Sequence, residues 1–195
     1  MTKTVLIIAL VAAIATSAMG QTPSKPFSVY LQGGASMPQQ DFKDLYKYGY
    51  HGGGGLGFSI FPRMELVARG SYHKYSAESL NSILPDQSTI DVTGGDLSMI
   101  MYGAELKLNL GVFTSNPYLL GGFGRAQFDI EDVTVNAFGL EQTHEFPSHT
   151  ETYRILGAGL EFTRTFLEAR YYTFMEDITE ETSTRLITVS FGIRL

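Results

Sequence analysis

The chain of 195 residues contains no cysteine and no tryptophan, and only 17% of it is charged. Without cysteine there is no disulfide, no thiol nucleophile and no thiolate metal site. The charged fraction lies well under the roughly 25% of an ordinary soluble domain, so much of the surface is not an ordinary hydrated one. A basic excess is also lacking: 14 Lys and Arg stand against 20 Asp and Glu, a net charge of −6. That balance argues against nucleic acid as a partner, because phosphate binding needs clustered Lys and Arg. Beyond Gln21 no apolar run approaches the ~20 residues of a spanning helix.

What is present at the N-terminus is an export signal. Lys3 supplies a positive start, residues 5–15 form a short apolar core, and Ala18-Met19-Gly20 is a small-x-small cleavage site before Gln21. Residues 1–20 are therefore expected to be a cleaved signal peptide, and residues 21–195 a single domain. The alternative, a membrane anchor, needs a longer apolar run.

Glycine and aromatics are plentiful, with 21 Gly, 13 Phe and 11 Tyr, and the mature chain repeats a period of two. Residues 27–36 set Val29, Leu31, Gly33 and Ala35 against Ser28, Tyr30, Gln32 and Ser36. Residues 50–60 end with Leu56, Phe58 and Ile60 against Gly57 and Ser59. Residues 64–75 oppose Met64, Leu66, Ala68, Gly70 and Tyr72 to Glu65, Val67, Arg69, Ser71 and His73. In residues 97–110, Ile100, Tyr102, Leu106 and Leu108 face away from Met99, Met101, Glu105 and Lys107. Residues 117–129 are read with Tyr118, Leu120, Gly122, Gly124, Ala126 and Phe128 outward, and Leu119, Gly121, Phe123, Arg125, Gln127 and Asp129 inward. Residues 153–162 and 166–175 repeat the pattern, and the last eleven residues set Ile187, Val189, Phe191, Ile193 and Leu195 against Thr188, Ser190 and Arg194.

These eight stretches predict an all-β fold, an eight-stranded antiparallel up-and-down transmembrane β-barrel. Connections at 61–63, 111–116 and 163–165 are tight, while those at 37–49, 76–96, 130–152 and 176–184 are longer and polar. Short turns on one side and long loops on the other are the asymmetry of an outer-membrane barrel, with turns and both termini periplasmic and loops extracellular. A soluble ligand-binding barrel would instead be apolar inside and charged outside. Here one face of each strand is nearly free of charge, and the other carries Glu65, Arg69, Glu105, Lys107, Arg125, Glu161, Glu168, Arg170 and Arg194. Exposing an Arg or Lys to lipid costs about 2–4 kcal/mol near the midplane, so the charged face is expected to line the lumen. Paired charges with Tyr30, Phe123 and Tyr172 would fill an eight-stranded interior and leave no open pore. Outward Gly33, Gly70, Gly122 and Gly124 are expected beside Tyr72, Tyr118 and Phe128.

The chain resembles the eight-stranded outer-membrane β-barrel family, the OmpX- and OmpA-type, porin-family barrels, over residues 27–195. Three passages carry the resemblance: Gly49-Tyr50-His51-Gly52-Gly53-Gly54-Gly55-Leu56-Gly57, Pro117-Tyr118-Leu119-Leu120-Gly121-Gly122-Phe123-Gly124, and the terminal strand. The resemblance implies that Phe191, Ile193 and Leu195 are read by the barrel-assembly machinery. Full-length OmpA-type proteins carry a peptidoglycan-binding domain after the barrel; no such domain is expected here. The Gly-rich passage is not a phosphate loop, since no Lys-Ser or Lys-Thr and no helical pattern follows it.

Sites are few. Similar barrels that modify lipid A place a His, a Ser and an acid near the outer rim, and the nearest candidates are His149 with Ser148 and Glu151, or His73 with Ser71. The plainer reading is that these residues, with His51 and His144, are polar side chains at the surface. Loop acids Glu78, Asp86, Asp91, Asp96, Glu131, Asp132, Glu141, Glu145, Glu151, Glu176, Asp177, Glu180 and Glu181 invite Ca²⁺ or Mg²⁺, but without EF-hand spacing they read as a solvated charged surface. The expectation is thus a non-enzymatic, monomeric barrel with no catalytic, cofactor or metal residues, in contact with outer-membrane lipid and lipopolysaccharide and serving envelope integrity or surface contact. The alternatives are a small solute channel and a lipid A modifying enzyme.

Overall fold

Alternating side chains and frequent β-branched and aromatic residues favour strands that bury one face and leave the other to an apolar medium. In a computed structural model, residues 26–77, 90–93, 95–111, 116–137, 140–144, 146–177 and 180–195 are described, and the signal-peptide reading of residues 1–20 lies outside them. The chain runs through β1 (Phe27–Gln39), α1 (Asp41–Leu45), β2 (Gly49–Phe61), β3 (Met64–Tyr75), β4 (Ile90–Thr93), β5 (Leu97–Asn109), β6 (Asn116–Ile130), β7 (Val133–Ala137), β8 (Leu140–His144), β9 (His149–Glu161), β10 (Thr165–Asp177) and β11 (Glu180–Arg194).

Eight of these strands close a barrel in the order β1-β11-β10-β9-β6-β5-β3-β2. The seam joins β1 to β11 antiparallel, from Tyr30 opposite Arg194 to Gln39 opposite Arg185. The seam extends to the last residue: Val29 N–H donates to the Leu195 carbonyl at 3.1 Å and Leu195 N–H to the Val29 carbonyl at 2.9 Å. Every barrel strand thus has two neighbours, which is what a sheet needs where no water can satisfy an open edge.

The two faces separate by parity. Leu31, Leu56, Leu66, Ile100, Leu156 and Phe191 stand exposed on the outer wall, while Tyr30, Glu65, Glu105, Ile155, Arg170 and Ser190 are buried within it. In β6 the sequence reading is corrected, because its faces are the reverse of those expected. Tyr118, Leu120, Ala126 and Phe128 are buried in the lumen, whereas Leu119 and Phe123 are exposed, as are Arg125, Gln127 and Asp129. Charge alone misleads here, since outward Arg125 and Asp129 lie at the loop end of the strand, past the apolar Leu119 and Phe123. Gly124 accordingly faces inward, where a Cβ would sit 2.5 Å from the Tyr153 ring.

The loop side holds more regular structure than its polarity announced. The connection after β1 contains α1, whose Phe42 enters the barrel mouth and meets the rings of Tyr46 at 5.1 Å and Tyr75 at 5.5 Å. Strands β4, β7 and β8 form a separate sheet in the order β4-β7-β8. Strands β10 and β11 continue to Asp177 and from Glu180, and β9 begins at His149, so much of what reads as loop extends the wall. Unheated protein in detergent should migrate differently from boiled protein on electrophoresis, since a closed sheet resists the detergent; identical migration would contradict closure.

Candidate functional site in the barrel lumen

Lumen side chains come from every barrel strand except most of β2, whose inward positions Gly53, Gly55 and Gly57 offer none. A Cβ on Gly57 would lie 2.0 Å from Glu65 Oε1, so this glycine makes room for a carboxylate from the next strand. Glu65 accepts a hydrogen bond from the Tyr30 hydroxyl at 2.6 Å. Lys107 donates to Tyr30 Oη at 3.3 Å and pairs with Glu161, which also pairs with Arg194. Arg194 is anchored by Ser28 Oγ at 3.0 Å and 2.9 Å.

A second network lies higher in the lumen. Arg170 grips Glu105 with both terminal nitrogens, at 2.7 Å and 3.0 Å, and turns its Nε to Glu168. Arg69 Nε lies 3.2 Å from Glu105 Oε2, and Arg69 also donates to Gln32. Tyr118 donates to Glu168 at 2.9 Å, and Lys107 Nζ sits 4.3 Å over the Tyr118 ring, tying the two networks together. With Arg125 outside, the networks hold Glu65, Glu105, Glu161 and Glu168 against Arg69, Lys107, Arg170 and Arg194, equal in number. Such pairs need not outweigh their desolvation, but removing one partner strands a buried charge.

Toward the loops the lumen changes character. His51 and His73 stack with ring centroids 5.0 Å apart, and Ser36 Oγ lies 3.0 Å from Nδ1 of each. His51 Nε2 reaches Ser190 Oγ at 2.8 Å, and His73 Nε2 reaches Ser71 Oγ at 3.0 Å. Ser36 has one proton, so it can donate to at most one of the two Nδ1 atoms, and at least one ring presents its Nδ1–H to the hydroxyl. Both histidines are buried, so the reading of them as surface residues is corrected. The missed signal is parity: His73 falls on the same face as Glu65 and Arg69, and His51 is its direct cross-strand partner. Above them Phe42, Tyr75, Leu97, Met99, Phe128, Phe174 and Leu186 form an apolar cluster. Phe123, expected in the lumen, is on the outer wall, while Tyr30 and Tyr172 are inside as expected.

The turn end is open instead. A vestibule of about 660 Å³ leads in between the turns, past Asn109 and Arg164, to Glu65, Glu161 and Arg194. Of the two candidate groups, His73 meets Ser71 inside the lumen, and the His149 group does not assemble. His149 Nε2 lies 3.4 Å from Glu151 Oε1 and its ring stacks on Phe128 at 4.8 Å, but among the described residues no hydrogen bond joins it to Ser148. Among the loop acids, Asp96 accepts the Ala77 N–H at 3.1 Å, and Glu131 lies 3.2 Å from Lys74; Glu78, Asp86 and Glu145 fall outside the described residues.

A closed sheet with an apolar outer wall and an ion-paired interior defines a membrane β-barrel. The outer membrane protein beta-barrel domain matches residues 6–194, and the chain belongs to that family and to the outer membrane. Neisserial surface protein A (NspA) has a similar fold, at 15% identity and a TM-score of 0.56, with 88% of this chain and 97% of that one covered. OprG from Pseudomonas aeruginosa is similar too, at 10% identity and a TM-score of 0.52, with 89% and 98% covered. At these identities the likeness is one of fold. No curated protein matches the chain.

Glu105→Gln, which leaves Arg170 and Arg69 facing an amide, should cost about 3–5 kcal/mol of stability, read as a lower urea midpoint for unfolding from vesicles. Glu131→Gln at the rim should leave that midpoint nearly unchanged.

Proposed function

We propose that this protein is a non-enzymatic barrel of the outer membrane whose lumen is closed by its own side chains and whose loops serve envelope integrity or surface contact. The observation that carries this reading is the stack of three layers across the lumen: ion pairs, the histidine and serine layer, and the apolar cluster under Phe42. An interior of eight strands is narrow enough for such a stack to fill. The orientation places the three tight turns, the start of β1 and the end of β11 in the periplasm, and α1 with the β4-β7-β8 sheet outside the cell. Short turns inside and long connections outside support it. Phe191, Ile193 and Leu195, exposed along the terminal strand, are the contacts offered to the assembly machinery, and the protein acts as a monomer.

The channel alternative draws on the vestibule, which is wide and polar but ends at Glu65, Glu161 and Arg194. Purified protein in planar bilayers should give no discrete conductance steps; regular steps would replace this reading with the channel. The enzyme alternative draws on the Ser71–His73 contact at 3.0 Å, which lies part-buried in the lumen. Lipid A from cells with and without the gene should have the same acyl pattern by mass spectrometry, and a changed pattern would establish the enzyme instead. Protease added to intact cells should cut within residues 76–96 or 130–152 and spare the turns at 61–63 and 163–165; the reverse would invert the orientation.

A further inference from the structure

From the turn end upward, outward residues of β6 and β9 are apolar or small: Leu119, Gly121 and Phe123 on one strand, Leu160, Ala158 and Leu156 on the other. The next outward residue on each is an arginine, Arg125 and Arg154, and both are exposed. Neither makes a hydrogen bond or ion pair with any described residue, in contrast to Lys74 at the same rim, which is 3.2 Å from Glu131. Arg125 is opposite Thr152, and Arg154 is opposite Phe123. The two arginines are therefore diagonal cross-strand neighbours, about 7–8 Å apart at the backbone, within reach of one anionic group.

One groove descends the outer wall below Arg125 and another lies beside Arg154, one on each side of Phe123. The first, about 970 Å³, has a floor of Gly54, Ala68, Gly70 and Ala104 between Leu31 and Tyr102, and Arg125 lines it as well. The second, about 650 Å³, runs from Leu156 and Tyr171 past Phe123 and Arg154 to Thr152, Thr173 and Met175 on the loop side. Arg125 stands eight residues above Pro117, so at ~3.3 Å per residue and ~40° of tilt it is about 20 Å along the membrane normal. That height is the loop-side shoulder of an apolar band about 25 Å tall. Long arginine stems keep their charge at the headgroup level while the stems lie on apolar wall.

We infer that Arg125 and Arg154 form a binding site for the phosphorylated headgroup of a lipopolysaccharide molecule of the outer leaflet, with an acyl chain lying in the groove that descends from Arg125 beside Phe123. Two unpaired guanidinium groups offer bidentate donors to phosphate oxygens. Hydrocarbon in the first groove recovers dispersion contacts that an unfilled floor of glycine and alanine would forfeit. The choice of lipopolysaccharide over a phospholipid of the inner leaflet rests on the loop-outward orientation proposed above. Binding in detergent does not depend on that orientation, so the two can fail separately.

The test is native mass spectrometry of the full-length refolded protein in detergent, titrated with bisphosphorylated lipid A, dephosphorylated lipid A or phosphatidylglycerol. Wild type should retain bisphosphorylated lipid A at least tenfold better than the other two. The double variant Arg125→Gln/Arg154→Gln should lose about tenfold in that affinity. Gly70→Leu should lose severalfold by filling the first groove; a Cβ there meets only Met101 O, at 3.9 Å, so the wall accommodates it. Lys74→Gln should bind as wild type. Unheated mobility on electrophoresis certifies each variant as folded. Unchanged lipid A binding in the double variant, equal binding of phosphatidylglycerol, or an equal loss in Lys74→Gln would each overturn the inference.

Discussion

Hydrocarbon supplies no hydrogen bonds, and that one constraint orders the rest of the molecule. Backbone groups must pair within the sheet, so the sheet must close, and β1 must meet β11. The outer wall must then be apolar, so charge that remains in the spanning region has to turn inward. Once inside a narrow cylinder, a carboxylate is held by arginine, lysine or tyrosine. Arg170 with Glu105 and Glu168 is the consequence of the wall as much as a choice made in the lumen.

Strands whose charges are confined to one face could be read directly. In β3 and β5, Glu65, Arg69, Glu105 and Lys107 share a parity opposite to Leu66, Ile100 and Leu106, and the burial follows it. The terminal strand was equally legible, because its apolar face runs unbroken to Leu195. β6 was not, since its lumen residues are Tyr118, Leu120 and Phe128, apolar themselves, while its only cation, Arg125, points outward toward the loop end of the strand. Period-two patterning gives two faces but not their sides, and height along the strand decides what an outward charge meets.

The polar centre was missed for a different reason. His51 lies among glycines, where no alternation can be traced, and its importance arises only from a cross-strand pairing with His73. Ser36 and Ser190 come from β1 and β11, far apart in sequence, and nothing local marks them as partners of an imidazole. α1 and the β4-β7-β8 sheet were hidden by polarity: segments that need not cross lipid follow no lipid-imposed pattern.

The lumen is unlike at its two ends, with Phe42 and its apolar neighbours at the mouth and a polar vestibule at the base. On the closed-lumen reading the barrel is a cup and not a tube. With the turn end in the periplasm as proposed, water, protons and small ions would reach Glu161 and Arg194 from that compartment alone, so the internal charges would keep equilibrium with it and be insulated from the medium beyond the cell. An acid or saline shock outside would reach them only after it had altered the space within.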